Sequence, residues 1–551
     1  MTETARAEAR RRAGQGPTAA RAGIAGTPFG EQITASGIAF AAVGGPLETR
    51  WHRALTELAQ CIRPIADAAV LNEGGVYDGC WLESTGTINT DVLARFAPDI
   101  AADTLRQFAQ LQREDGMLPY KVTPDGPGFS QIQIVTPLAR VVWRHHQRTG
   151  DDALLRRMYD AMVRYDAWLA RYRDTRGSGG VEAFCTFDTG HDLSPRFWFA
   201  PDRAFRADAR QIDPGSATMP YIAPDLTANV ACQRSYLAVI AEALGEDPRP
   251  WRDAAQRSLD ALYTQCFHDE DALFYDRDRS GRPVRIASDV LLRVLACEVG
   301  DADFFAASLR RYLMHTGKFL AHYGFTTIAM DDPRFDHDAS RNSWAGPVNF
   351  LAQLRAPDAF EQHGHVAELA LTAQPTLAAL AVADAFPQCL DPWSGAAGFT
   401  EVYSPSILWF LDALERHSGI LPHHDGTVWF SGLTPTRLEH GAAAEAIAYA
   451  RTIGGADWEL VADDELVEVH RDGELAFSFP RGWRVQTDAA GGVIAVIGLA
   501  AQPVEGELMI AGARAGASAV VPLRVAPNER ITLSGGAIGV REARPFVSPV
   551  F

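Results

Sequence analysis

The feature that most constrains this chain is a repeated helical period broken by long, turn-rich connections. In "LETRWHRALTELAQCI" the apolar residues Trp51, Leu55, Leu58, Ala59 and Ile62 fall on one face of a 3.6-residue period. "APDIAADTLRQFAQLQ" repeats the pattern through Ala101, Leu105 and Phe108, and "DLTANVACQRSYLAVIAEALGE" through Leu226, Val230, Leu237 and Leu244, with Asp225 placed as an N-cap. The same period predicts helices near 134–149, 152–173, 250–265, 283–313, 345–355, 364–384 and 405–416. Between them run Gly-, Pro- and aromatic-rich connections at 72–90, 113–135, 178–224 and 320–344. Connections that long are uncommon in compact domains and are usually functional. The arrangement predicts a mainly α chain, a helical toroid over residues 46–419 with its loops gathered over one end. After residue 420 the grammar changes. "ELVEVHRDGELAFSFP" is two alternating runs about an Asp472-Gly473 turn, and "GGVIAVIGL" and "NERITLSGG" continue as short strands. Residues 420–551 are expected to form a C-terminal β-sandwich. Residues 1–45, rich at first in Arg, Ala and Gly, are expected to be a flexible segment.

Bulk charge narrows the partners. The net charge of −18 disfavours nucleic acid and anionic membrane. Seven scattered cysteines (Cys61, Cys80, Cys185, Cys232, Cys266, Cys297, Cys389) form no CxxC pair and read as buried thiols in a reducing compartment. The basic N-terminal run is followed by no apolar stretch of the kind a secretory signal needs, so the expected location is cytoplasmic.

Chemistry is suggested first by "CTFDTGHDLSPRFW", residues 185–198. Asp188 and Asp192 sit among Phe184, Phe187, Phe197 and Trp198, with Gly190 permitting an unusual turn and Pro195 stiffening the exit. Aromatic neighbours can raise a carboxyl pKa by desolvation. Locally, either aspartate also fits a turn cap or an ion pair with Arg196. Glu401, in "AAGFTEVYSPSILWFL", lies near Phe399, Tyr403 and Trp409 before a predicted helix, where an acidic residue is favoured on helix-dipole grounds alone. Trp344 and Trp393 fit sugar platforms or core packing equally well. Gln112, Glu114 and Asp115 end a helix, where they could reach a pocket or simply be solvated. "DDPRFDHDASR" gathers Asp331, Asp332, Asp336, His337 and Asp338 without the glycine and spacing of a calcium loop, and reads as a polar loop. His145-His146 and His423-His424 have no partners at metal-ligand spacing. No metal or cofactor is expected.

Three segments carry a family resemblance. "FDTGHDLSPR" resembles the Glu-Ser-Gly-Trp-Asp-x-Ser-Pro-Arg signature of six-hairpin glycosidases in glycoside hydrolase family 63, "SWAGPVNFL" its Trp-Arg-Gly-Pro segment, and "TEVYSPS" its Glu-x-Tyr-x-Pro segment. They occur in the family's order, with "REDGMLPY" and "APDLTANV" similar to intervening pieces, over residues 70–415. The subgroup most resembled is that of the mannosylglycerate and glucosylglycerate hydrolases, with trehalases further away. The resemblance implies an (α/α)6 barrel and inverting cleavage of an α-glucoside or α-mannoside in a small carbohydrate. It implies Asp192 as general acid and Glu401 as general base. Substrate contacts are expected from Trp81, Glu83, Gln112, Asp188, His191, Arg196, Arg341, Trp344, Trp393 and Tyr403. The chain departs from the pattern in places. His191 replaces the signature Trp, and Ala345 replaces an Arg for which Arg341 could substitute. The early Trp-x-Trp-Asp motif reads "CWLES", keeping Trp81 but placing Glu83 and Ser84 at Trp-Asp. Rival expectations are a disaccharide phosphorylase or rhamnosidase on the same scaffold, or a sugar-binding protein without activity.

Overall fold

A computed structural model describes residues 2–134, 136–433, 444–512 and 519–551. The helices the apolar period predicts are present, among them Leu47–Cys61, Pro98–Gln110, Leu138–Thr149, Asp152–Tyr172, Pro224–Ala243, Arg249–Ala261, Val366–Val382 and Ser404–Ser418. Asp225 lies inside its helix, at the first turn after Pro224, instead of capping it. The predicted helix over 283–313 is divided into Val290–Leu295 and Ala302–Ser308 with a further turn at Leu309–Leu313. The interruption has a local cause. Glu298 and Gly300 are left-handed (φ 64° and 91°), and the Asp301 carboxylate accepts from the Phe304 amide at 2.8 Å, starting a new helix. Over 345–355 only Phe350–Gln353 is helical. Among the described residues no helix is long and apolar enough to cross a membrane, and all seven cysteines are buried and unpaired.

The C-terminal region is strand-rich and builds two antiparallel sheets. One has six strands in the order Ile420–Pro422, Val428–Ser431, Trp483–Thr487, Val493–Gly498, Arg530–Ser534, Ala537–Glu542. The other has seven, and its first member comes from the far end of the chain: Ala39–Val43 pairs with Ala446–Ile453, matching Phe40 to Tyr449. Facing residues of both sheets share one core, in which the Phe430 ring lies 5.1 Å from Trp458 and 5.1 Å from Phe477. The same core runs on through Trp51, Leu55 and Leu58 into the helical part.

The N-terminal segment is therefore a correction to expectation. It is no flexible tail. Thr2–Ala13 is a helix whose Ala5, Ala9 and Ala13, spaced by four, pack on Ala41, Ala446, Ala448 and Val461. Arg6 pairs with the buried Asp463, and Arg10 donates to Glu459 at 2.7 Å. Alanine allows the close approach and the arginines supply the anchors, so a low-hydrophobicity sequence still finds enough to bury.

The all-buried helix Ser404–Ser418 joins the two parts. Its Asp412 accepts from Arg95 and Arg416, its Glu415 pairs with Arg451, and Arg416 and Arg484 share Glu361. Ionic groups that are buried need such partners, because removing one leaves an unsolvated charge. The same physics generates a test at the N-terminus. Arg6→Ala strips the Asp463 carboxylate of its guanidinium and is expected to cost about 1–3 kcal/mol, read as a lower midpoint of chemical denaturation; an unchanged midpoint would mean the helix does not hold this edge.

Candidate active site

The long connections converge on one cavity of about 220 Å³. Glu73, Tyr77, Trp81 and Glu83 come from the first, Tyr120, Lys121, Gln131 and Gln133 from the second, Phe187, Asp192 and Arg203 from the third, and Asn342 and Trp344 from the end of the fourth. Leu351 and Gln388 complete the wall. That volume is several times the ~30 Å³ share of a water molecule.

Asp192 is placed by its own loop. Gly190 is left-handed (φ 69°), and a Cβ there would stand 2.2 Å from a Glu83 carboxylate oxygen, so only glycine lets the loop lie against Glu83. Leu193 is also left-handed (φ 59°), and the Asp192 carbonyl accepts from the Trp344 amide at 3.0 Å. The carboxylate receives the Asn342 amide through Oδ2. Asn342 in turn accepts from Gln388 Nε2 at 2.9 Å, and Gln388 accepts from the Tyr77 hydroxyl at 2.9 Å. This chain of directed donors leaves Oδ1 as the oxygen to carry a proton. Burial pushes the Asp192 carboxyl up to about 8, the charges of Glu83, Asp202 and Glu73 add to this, and the Asn342 hydrogen bond opposes it.

Behind the cavity lies a ladder of alternating charges. Glu83 meets Arg355 at 3.5 Å, Arg293 at 3.7 Å and the Gln133 amide at 3.1 Å. Arg293 reaches Asp289 at 3.0 Å and Asp225 at 3.4 Å. Arg196 closes the ladder, donating to Asp225 at 3.0 and 3.1 Å and to Asp276 twice at 2.8 Å. His191 is built into it. Nδ1 accepts from Arg196 at 2.8 Å, so Nε2 donates to Asp289 at 2.8 Å. Burial, with Arg293 nearby, pushes the imidazole down to about 3 and keeps it neutral. Its ring stands edge-on to Trp344 at 4.9 Å, backing a cavity wall. Burial also pushes the Glu83 carboxyl up, against the pull of Arg293 and Arg355.

Of the residues expected to touch substrate, Trp81, Glu83, Asp192 and Trp344 line this cavity. The others stand elsewhere. Asp188 is fully buried and spent on Arg173, at 2.5 and 3.1 Å, and on the amides of Ile132 and Phe184. It orients the loop. Arg196 pairs with Asp225 and Asp276 instead of Asp188 or Asp192, and His191 lies behind the wall. Gln112 is turned to the carbonyls of Gly116 and Ala161. Arg341 points outward to Asp336 and Asp338, both at 3.2 Å, leaving its neighbour Asn342 to face Asp192. Trp393 is half-exposed against Phe335 and His337. Tyr403 is fully buried behind Glu73, to which its hydroxyl donates at 2.7 Å. Glu401 is exposed and faces a separate groove lined by Val382, Asp384 and Ser394.

Sequence reasoning missed Glu73, Tyr77, Lys121, Gln133, Arg203, Asn342 and Gln388. The pair Gly74-Gly75 beside Glu73 was a usable signal, since both are left-handed and a Cβ at Gly74 would stand 2.4 Å from the Val402 carbonyl. In the acidic 331–338 loop, Asp331 pairs with Lys318, Asp332 with Arg334 and Asp336 with Arg341. Among the described residues no group of three or more His, Cys, Asp or Glu side chains could hold a metal ion.

Comparison with known proteins matches the sequence to an enzyme family. The profile of the mannosylglycerate hydrolase MGH1-like glycoside hydrolase domain matches residues 85–406. A search of curated proteins found no match. Among solved structures, the GH63 mannosylglycerate hydrolase from Thermus thermophilus in complex with Tris and D-glycerate is similar at TM-score 0.56 and 20% identity, over 66% of this chain and 99% of that one. A sialidase is similar at TM-score 0.57 and 12% identity, over 84% of this chain and 42% of that one. The GH78 rhamnosidase of Bacillus sp. GL1 is similar at TM-score 0.53 and 12% identity, over 80% and 42%. At these identities the structural likeness is one of fold. The family profile covers more than half of the sequence, and the chain belongs to the mannosylglycerate hydrolase MGH1-like glycoside hydrolases.

Proposed function

We propose that this glycoside hydrolase cleaves an α-glucoside or α-mannoside with inversion, in a small substrate whose leaving group carries negative charge, and that its helices form an (α/α)6 toroid. The observation that carries the reading is Asp192, a carboxyl held protonated at neutral pH inside a cavity large enough for a sugar. Protonating the leaving oxygen needs such an acid, and general acid catalysis contributes ~10²–10⁴-fold. Trp81 offers a ring to the sugar while the buried Trp344 backs the wall, and Glu83, fixed by Arg293, Arg355 and Gln133, presents an acceptor to its hydroxyls.

The charged leaving group is supported by Lys121 and Arg203. Both line the cavity, and among the described residues neither makes an ion pair; Lys121 sits 5.4 Å over the Trp81 ring. A carboxylate on the aglycone supplies what they lack, and the Thermus hydrolase, whose cocrystal held D-glycerate, is consistent with such a ligand. Glu401, given the base role by resemblance, is outside the cavity, and no proton is routed through it.

Proton NMR of α-glucosides, α-mannosides and their glycerate conjugates tests the reading. First-formed β-anomer, unchanged in rate by phosphate, is expected; a sugar phosphate would indicate a phosphorylase. Asp192→Asn is expected to lower kcat by ~10²–10⁴-fold. Asn342→Ala removes a donor that favours the ionised form, so the alkaline limb of the pH–rate profile, near 8 in the wild type, moves to higher pH. Arg203→Ala is expected to raise KM for acidic aglycones about tenfold while sparing neutral ones; equal effects on both would remove the case for an acidic leaving group.

A further inference from the structure

Inversion needs a second carboxylate to activate water, and among the described residues three carboxylates line the cavity: Asp192, Glu83 and Glu73. Glu83 is engaged by Arg293, Arg355 and the Gln133 amide, which hold its carboxylate against the ladder behind the wall. Among the described residues Glu73 makes no ion pair. Each of its oxygens accepts one hydroxyl, Oε2 from Ser84 at 2.6 Å and Oε1 from Tyr403 at 2.7 Å, which fixes the carboxylate plane and leaves further lone pairs free. Its backbone is held as firmly: the Glu73 amide donates to the Gly79 carbonyl at 2.9 Å, and the Glu73 carbonyl accepts from the Ser404 amide at 2.9 Å.

Glu401, by contrast, is pinned away. It lies between Thr400 and Val402, both left-handed (φ 61° and 51°). Gly75 donates to the Val402 carbonyl at 3.1 Å, Val76 to Thr400 Oγ1 at 3.0 Å, and Tyr403 to the Phe386 carbonyl at 2.9 Å. These bonds fix the backbone on both sides of Glu401, whose side chain lies on the separate groove.

We propose that Glu73, not Glu401, is the carboxylate that activates the attacking water, an assignment that rests on the glycosidase reading above. Glu73 takes one proton from water, whose oxygen bonds to the anomeric carbon. The bond from that carbon to the leaving oxygen breaks, and its electron pair accepts the Asp192 proton. Exchange with solvent then returns the proton from Glu73 and restores it to Asp192. The groups facing Glu73 are the hydroxyls of Ser84, Tyr403 and Tyr77 and the carboxyls of Glu83 and Asp192, with Lys121 and Arg203 farther along the wall. Burial pushes Glu73 up to about 7, with the two hydroxyl donors opposing. Base and acid are therefore both in their working forms in a window near pH 7–8, and the two limbs belong to the interacting pair.

The test is the pH profile of kcat/KM for the wild type, Glu73→Gln, Tyr403→Phe and Glu401→Gln, on whichever glycoside of the panel the wild type turns over. Glu73→Gln is expected to lower kcat by ~10²–10⁴-fold with little change in KM, and to abolish the acidic limb. It should also move the alkaline limb down, since Asp192 loses a neighbouring negative charge. A nitrophenyl leaving group, which needs no protonation, is expected to rescue Asp192→Asn and not Glu73→Gln. Tyr403→Phe removes a donor to Glu73 and should move the acidic limb up, a readout that stands even if Glu73→Gln folds poorly. Loss of the acidic limb in Glu401→Gln, with the limb intact in Glu73→Gln or unmoved in Tyr403→Phe, overturns the assignment. Absence of turnover by the wild type would instead sink the glycosidase reading, and this assignment with it.

Discussion

Arg196 has no water to solvate it, and the site depends on how its charge is met. It is clamped by Asp225 and Asp276, both themselves buried, and through Asp225 and His191 it is tied to Arg293, Asp289 and finally Glu83. Every guanidinium in this ladder lies behind the cavity wall and is consumed by a carboxylate there. Asp192 is left with carboxylates for company and an amide for a donor. Burial is the main reason this carboxylic acid stays protonated at neutral pH, and the segregation adds to it, because a guanidinium hydrogen-bonded to Asp192 would pull its pKa down. It also explains how His191 can replace a tryptophan: as a neutral ring with a fixed tautomer it links the ladder and still presents an edge to Trp344.

The fold is arranged to hold this ladder still. Asp188 fixes the loop through Arg173 and two backbone amides, and Gly190 lets that loop lie on Glu83. The 72–77 segment is clasped to the segment before helix Ser404–Ser418, and that helix is tied by Asp412, Glu415 and Arg416 to Arg95, Glu361 and the strand Ala446–Ile453. The strand-rich part thus braces the cavity segment through this helix. The N-terminal helix and strand, by adding to the edge of its seven-stranded sheet, extend that brace.

What was legible in the sequence follows from the range of the interactions. Periodicity is local, so helices such as Leu47–Cys61 could be read directly. Asp192 was legible through the resemblance of its loop, since its neighbours in sequence fitted a turn cap as well, and the structure places it in the cavity wall. Glu73 was not: it is defined by Tyr403, 330 positions away, and Asn342 by Asp192, 150 positions away. Arg341 and Asn342 illustrate the limit, since adjacent residues on one loop face opposite ways and the charged one faces out. The N-terminal helix was misread for a different reason. Its composition is that of a disordered tail, and only the four-residue spacing of Ala5, Ala9 and Ala13 marked a face to bury.

The central claim is that Asp192 is a neutral acid at physiological pH. The direct measurement is a carbon-13 NMR titration of aspartate side-chain carboxyls in the wild type and in Asp192→Asn. One resonance titrating near 8, absent from the variant, is the result this account predicts. If removing Asp192 deletes only a resonance that titrates in the ordinary range near 4, Asp192 is ionised at pH 7 and the acid role assigned to it is wrong.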